Sequence, residues 1–295
     1  MDRKSETKRL MLYLAFAFGS TWVIFFTYIL SGNIWAEISA MDQFISLGML
    51  CPALAALLTR YVTKEGFAVT GKDSMLLEIS FKDKKWLYFV LAMFLPWLYI
   101  ELGNALTLII APNAFDINKP ELLELADNER AIIYIQPIAA IVSGVVVSFA
   151  AFGEEAGWRG YMMPKMIKLW GVRKAVIIGG ILWGIWHWPL TYVGHNFGIG
   201  YFGYPFTGFA SMCAMCVFMG IILTYVTCKS GSIWPATILH AVNNASPSVL
   251  QYFINYEKVD GWRSDSVVIF LISFFPIMVI GGFIFITGKI GDKLR

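Results

Sequence analysis

Three short motifs in the second half of the chain combine residue types that support acid–base chemistry. They are FGEEAGWRG at 152–160, WGIWHWP at 183–189 and PATILHAVNNA at 235–245. Each falls in or beside an apolar run, where an ionisable side chain is costly without a partner and therefore suggests a functional role. Together they supply carboxylates, imidazoles and an amide, the groups that can activate water and stabilise an oxyanion.

The first motif predicts two carboxylates with different roles. In a helix, Glu155 and Arg159 are i,i+4 neighbours in the order that favours an ion pair. Glu154 lies about 100° around the same helix, so it stays available. The alternative is that all three charges only mark the boundary of the membrane.

The second motif places His187 one helical turn after Trp183, so that an aromatic ring packs beside the imidazole. Pro189 follows, and we expect it to disturb the helix just beyond the histidine. A lone histidine within the membrane often only joins two helices by a hydrogen bond. For this motif alone, that alternative stays open.

The third motif puts His240 and Asn244 on one helical face, where both can donate hydrogen bonds toward a common point. Asn243 is expected on a different face. Polar contacts between helices explain this pair equally well on its own. The combination with Glu154 and His187 exceeds what packing requires, and it favours hydrolysis of a peptide by activated water.

The elements that must position these motifs are membrane helices. Of the 295 residues, 58% are hydrophobic and 15% are charged, against roughly 45–50% and 25% in soluble domains. A helix needs about 20 mostly apolar residues to cross a bilayer. Eight segments qualify, at about 10–30, 44–62, 86–110, 133–153, 174–192, 208–228, 232–252 and 265–287. We therefore predict an all-α polytopic membrane protein with a single membrane domain, 1–295.

Basic residues set the predicted orientation. With the N-terminus inside, 19 Lys and Arg fall in inner segments, including a loop over 154–173, and 4 fall in outer segments. The positive-inside rule predicts this asymmetry, with both termini cytoplasmic and the chain in the cell membrane. Straight helices on this map put Glu154 near the inner face and His187 nearer the outer face.

The three motifs together resemble those of the CPBP family, which covers type II CAAX prenyl proteases and bacteriocin-processing or immunity (Abi-like) proteins. The matching residues are E-E-x-x-x-R at 154–159, W-x-x-x-H at 183–187 and H-x-x-x-N at 240–244, within a core of about 130–250. The family's second motif usually begins with Phe, where this chain has Trp183. The resemblance implies that Glu154 and His187 activate water and that His240 and Asn244 form the oxyanion site. It also implies that Glu155, Arg159 and Trp183 support them.

The resemblance favours a glutamate-type mechanism with no obligatory cofactor. Two histidines and a glutamate can also bind zinc with one open position, so Glu154, His187 and His240 are the alternative zinc ligands. However, the chain has no H-E-x-x-H motif, and no carboxylate that would support either histidine is evident.

Two other functions remain open beside the protease. A non-catalytic bacteriocin-immunity or interaction factor would keep the fold and the motifs. A proton- or solute-coupled transporter would use Glu101, Asn104, Glu154 and the histidines along a path, but no repeated halves are apparent. The expected partners are the lipid bilayer and a peptide or membrane-protein substrate. The net charge of +3 gives no sign of nucleic-acid binding, and the oligomeric state stays open.

Overall fold

A computed structural model describes residues 3–32, 38–71, 73–119, 148–245 and 248–290, together with positions 135, 138, 139, 141, 142 and 144. In this part of the chain the fold is all-helical, and its only β pairing is one bridge between Phe115 and Ile254. Apolar segments of a membrane protein form helices because the bilayer offers their backbone no hydrogen-bond partners. The all-α prediction is thus confirmed.

Ten α-helices and one π-helical turn form the described fold. The helices are α1 (Arg3–Leu30), α2 (Ile38–Val62), α3 (Trp86–Ile110), α4 (Ser148–Gly157), α5 (Met163–Trp170), α6 (Val172–Trp186), α7 (Trp188–Tyr192), α8 (Phe206–Ser230), α9 (Trp234–Ala245) and α10 (Ser266–Ile286). The π-helical turn, Trp158–Met162, joins α4 to α5. Five helices are long and apolar enough to cross a bilayer, namely α1, α2 from Asp42 onward, α3, α8 and α10.

These five helices coincide with the first, second, third, sixth and eighth predicted spans. Most of the fourth predicted span, 133–153, lies outside the described residues. The fifth is divided between α6 and the five-residue α7, with the break at His187, as the position of Pro189 predicted. The seventh is represented by α9, which has only 12 residues. The count of eight spans and the sidedness of the termini stay predictions.

Helical structure continues from Ser148 to Trp170, so the fourth helix runs well past the end of the predicted span at residue 153. The chain then turns at Gly171, whose φ of 77° suits a residue without a side chain. Hydropathy ends the span too early because this helix carries five charged residues, of which all but Lys168 are buried inside the protein. The turn brings α5 and α6 side by side.

Helices α6 and α8 approach closely because α6 carries two glycines one turn apart. A Cβ atom at Gly180 would lie 2.4 Å from the Cα of Val217, and one at Gly184 would lie 2.5 Å from the Cα of Cys213. Small residues at this spacing let membrane helices pack backbone to backbone. The contact fixes the end of α6, where His187 lies.

Candidate active site

The turn at Gly171 brings the first two motifs to the same depth. Glu154 precedes Gly171 by 17 residues and His187 follows it by 16. At a rise of 1.5 Å per residue, both lie about 25 Å from the turn. The spans predicted from the sequence separated the two residues because the fourth predicted span ended at residue 153. That boundary was wrong, and the two residues line one cavity.

Glu154 is buried and lacks a cationic partner among the described residues, as the sequence predicted for the available carboxylate. Its Oε2 accepts hydrogen bonds from Trp183 Nε1 at 2.6 Å and from Trp158 Nε1 at 3.3 Å. Its Oε1 makes no hydrogen bond within the described chain, and the residue lines the cavity. Two indoles therefore hold one oxygen while the other faces the cavity.

Glu155 forms the predicted ion pair with Arg159. Its Oε1 accepts a hydrogen bond from Arg159 Nη1 at 2.9 Å, and both side chains are buried. The same oxygen accepts a hydrogen bond from His240 Nδ1 at 2.9 Å. The guanidinium of Arg159 also lies 4.3 Å above the ring of Trp183.

The contact between Glu155 and His240 corrects the sequence analysis, which found no carboxylate that would support either histidine. The two residues are 85 positions apart, so their spacing gave no signal. Because a carboxylate only accepts, His240 Nδ1 carries a proton. An imidazolium at this position, paired with Glu155, would have Nε2–H as a second donor.

His187 has a fixed tautomer. Its Nδ1 lies 2.8 Å from the backbone carbonyl oxygen of Trp183, which only accepts. The proton therefore resides on Nδ1, and Nε2 keeps its lone pair. The ring of Trp186 packs edge-on against the imidazole, with centroids 4.6 Å apart, and this contact restricts the rotation of the His187 side chain.

Asn244 is oriented by a chain of hydrogen bonds that begins on α3. Tyr99 Oη donates to Asn243 Oδ1 at 2.7 Å, and Asn243 Nδ2 donates to Asn244 Oδ1 at 3.1 Å. Because its Oδ1 is occupied, Asn244 retains Nδ2 as a donor. Asn243 is offset from Asn244 by about 100° around α9, and both asparagines line the cavity.

One cavity of about 440 Å³ collects these residues. Its polar lining comprises Glu154, His187, His240, Asn243 and Asn244 together with Asp42, His195 and Asn196. The sequence did not predict that the last three line the cavity. Asp42 lies near the start of α2, and the other two follow α7 in a segment between two predicted spans. Burial lowers the pKa of His195 to about 4, and the charge of Asp42 opposes this only in part.

The rest of the cavity wall is apolar and rich in methionine. It is formed by Phe25, Ile45, Met49, Trp183, Trp186, Leu190, Met212, Met215, Met219, Phe270 and Phe274. Methionine side chains adapt to ligands of different shape because they are unbranched and polarizable. The cavity thus combines a polar group of side chains with a wall able to accept an apolar segment.

The alternative zinc ligands do not form a metal site in the described structure. No three His, Cys, Asp or Glu side chains there are arranged to hold one ion. The Nδ1 atoms of His187 and His240 contact a carbonyl and a carboxylate, and these contacts leave both Nε2 atoms available. The metal-free mechanism stays a prediction.

Glu101 has a structural environment that the sequence did not reveal. Its carboxylate accepts hydrogen bonds from Ser248 Oγ at 2.7 Å and from the backbone N–H groups of Val249 and Leu250 at 2.6 and 3.3 Å. It therefore caps the 3₁₀ turn Leu250–Phe253. Neither Glu101 nor Asn104 belongs to the lining of the cavity.

Comparison with known proteins gives two related findings. Residues 136–246 match the sequence model of a family described as type II CAAX prenyl endopeptidase Rce1-like. A CAAX prenyl protease 2 from Methanococcus maripaludis is 35% identical over 106 residues, which are 34% of this chain and 38% of that protein. The similarity thus spans less than half of the relative's length.

The family match covers the part of the chain that carries the three motifs. The family match begins before Glu154 and ends after Asn244, so it contains every residue assigned to the site. The resemblance to the CPBP family predicted from the motifs is confirmed.

Proposed function

We propose that this chain, with its type II CAAX prenyl endopeptidase-like segment 136–246, is an intramembrane endopeptidase. It hydrolyses a peptide bond of a membrane-associated or prenylated (CAAX-type) peptide, with water as the nucleophile. The observation that carries the proposal is the convergence of an unpaired carboxylate, a neutral imidazole and two hydrogen-bond donors on one cavity. Water-driven amide hydrolysis needs these groups.

In the first step, Glu154 and His187 activate the water. Glu154 Oε1 accepts one proton of the water while the lone pair of His187 Nε2 orients its other hydrogen. The water oxygen attacks the peptide carbonyl carbon, and the π electrons of the C=O bond move onto its oxygen. The indoles of Trp158 and Trp183 keep the carboxylate in place through Oε2.

The oxyanion that forms is stabilised by His240 Nε2–H and Asn244 Nδ2–H. Donors that are already oriented cost no reorganisation when the charge develops. Glu155 and Arg159 support this arrangement because Glu155 holds His240 through Nδ1. When the C–N bond breaks, the electron pair goes to the amine, and Glu154 returns its proton there.

A reconstituted assay tests the proposal. Purified protein in liposomes is incubated with a farnesylated peptide that ends in a CAAX sequence, and with the same peptide without the lipid. We expect wild-type protein to cleave at least the lipidated peptide, and Glu154→Gln and His187→Ala proteins to cleave neither. Equal cleavage by wild-type and Glu154→Gln protein would exclude Glu154 as the base.

A further inference from the structure

The backbone hydrogen bonds change register at His187, between α6 and α7. In a continuous helix the N–H group of Leu190 would donate to the carbonyl oxygen of Trp186, four residues earlier. Here Leu190 N donates instead to His187 O at 3.0 Å, and Pro189, which comes before it, has no N–H group to offer. The carbonyl oxygen of Trp186 is therefore left without its helical donor.

A side chain from α1 takes the place of that donor. The indole Nε1 of Trp22 donates a hydrogen bond to Trp186 O at 3.2 Å. A carbonyl oxygen that is kept from water without a donor is costly, so this contact stabilises the break between α6 and α7. The break in turn determines where the next residue, His187, lies.

The same part of α1 also holds the side chain of Trp186. The ring of Phe25 packs edge-on against the Trp186 indole, with centroids 5.5 Å apart, and both side chains are buried. Phe25 is itself confined by α2, because a Cβ atom at Gly48 would lie only 2.4 Å from its ring. Since Trp186 packs against the imidazole of His187, α1 fixes both the backbone and the side chain of the residue that precedes the histidine.

Two other residues of α1 contact the indole that holds Glu154. Tyr13 and Phe18 pack edge-on against Trp158, with ring centroids 5.8 and 6.4 Å apart. Trp158 donates to Glu154 Oε2, and its ring also contacts that of Trp186, with centroids 6.0 Å apart. One helix therefore packs against both tryptophans that adjoin the two residues proposed to activate water.

We infer that Trp22 is a positioning residue for the reaction, because it fixes the helix break at His187 and hence the place of that imidazole in the cavity. This inference rests on the proposed function. Trp22 does not belong to the lining of the cavity, and it acts through Trp186. Because α1 lies outside the family match at 136–246, the matched segment does not supply this contact.

The substitution Trp22→Phe tests this role, because it removes the indole N–H group and keeps an aromatic ring. Trp97→Phe on α3 is the matched control, since Trp97 is also partly buried and its Nε1 has no hydrogen-bond partner among the described residues. In the liposome assay we expect Trp22→Phe to lower kcat about five- to tenfold, the effect of one hydrogen bond, with KM unchanged. The control should keep the wild-type kcat. Equal losses of kcat in the two variants, or a change in KM alone, would overturn the inference.

A second readout does not require activity. The chain has three histidines, so NMR spectra of protein with isotope-labelled histidine in detergent can follow each ring, assigned by substituting each histidine in turn. We expect Trp22→Phe to shift the ring signals of His187 and to leave those of His195 and His240 in place, and Trp97→Phe to shift none. Unchanged His187 signals, or equal shifts at all three histidines, would show that Trp22 contributes only to packing. If wild-type protein cleaves no peptide, the proposed protease fails, while the NMR comparison still decides whether Trp22 positions His187.

Discussion

The adjacent residues Glu154 and Glu155 have different roles in this site. Glu154 has no cationic partner among the described residues and faces the cavity, whereas Glu155 is shared by Arg159 and His240. We expect Glu154→Gln to abolish cleavage and leave the unfolding temperature unchanged, because no ion pair is lost. Glu155→Gln leaves a buried guanidinium without its counter-ion and should lower the free energy of unfolding by about 3–5 kcal/mol.

Thermal unfolding in detergent and the liposome assay separate these two effects. A Glu154→Gln protein that unfolds as readily as Glu155→Gln would show that Glu154 is structural. A Glu155→Gln protein of wild-type stability would contradict the role given to its ion pair.

The oxyanion donors offer a graded prediction. Asn244→Ala should lower the rate by about 10²–10³, the effect of losing one such donor. Tyr99→Phe removes only the hydroxyl that orients Asn243, so we expect a loss of about five- to tenfold, equivalent to one hydrogen bond of roughly 1 kcal/mol. The loss should appear in kcat rather than KM.

In the Asn244→Ala background, Tyr99→Phe should have no further effect on the rate, because the amide that it orients is gone. Additive losses in the double mutant would show that Tyr99 acts in another way.

Metal dependence gives a third prediction about the residues of the site. Since the three candidate ligands do not form a metal site, cleavage should be unchanged after dialysis against EDTA or 1,10-phenanthroline. Adding zinc to the treated protein should not raise the rate of cleavage. Loss of activity on chelation, restored by zinc alone, would refute the metal-free mechanism.

At this scale the sequence predicted Glu154, His187, His240 and Asn244, which meet at one cavity, and the separate pairing of Glu155. It could not predict that His195 lines the same cavity, because that residue follows a helix break and its position depends on how the chain turns. The contact between Glu155 and His240 was hidden for the same reason, since it joins two distant helices.

Helices that are uniformly apolar were predicted closely, whereas the helices that carry the site were predicted with inexact bounds. α1, α2, α3, α8 and α10 follow from hydropathy, because each must satisfy its backbone within the bilayer. The extension of the fourth helix to Trp170 was missed because its charged residues lower the hydropathy of a segment that is mostly buried in the protein. α9 is too short for the span assigned to it.

The contact of α6 with α8 gives a prediction at this scale. A methyl group at Gly184 would meet the backbone of Cys213, so Gly184→Ala should cost about 1–3 kcal/mol and displace His187. Gly19→Ala is the matched control, because a Cβ there has no neighbour within 4 Å. We expect lower stability and activity for the first variant alone, measured by unfolding in detergent and by the liposome assay. Equal stability and equal activity of the two variants would show that the close contact between α6 and α8 at Gly184 is unimportant.

On the scale of the whole molecule, ion pairs join the N-terminal helix to α5 and to the residues that follow α2, since Glu6 contacts Lys165 and Arg9 contacts Glu65. Burial alone would raise the pKa of Glu65, but hydrogen bonds from Lys165 and Tyr161 outweigh it and hold that pKa below its usual 4.5. A lowered folded-state pKa stabilises the protein fully above the unfolded value, and the gain is lost as the pH falls through the folded value.

Wild-type protein should therefore lose more stability than Glu65→Gln when the pH is lowered from neutral to below 4.5. Unfolding temperatures in detergent across this range measure the difference. Parallel pH profiles for the two proteins would contradict the contribution of Glu65.

The central claim, that Glu154 drives peptide hydrolysis in the membrane, is tested most directly in cells. Protein N-termini are compared between cells carrying wild-type or Glu154→Gln protein at matched levels. The account predicts a set of N-termini that is present with the wild-type protein and absent with the variant, and these termini identify the substrates. An identical set in both cells would contradict it and favour a non-catalytic membrane protein with the same fold.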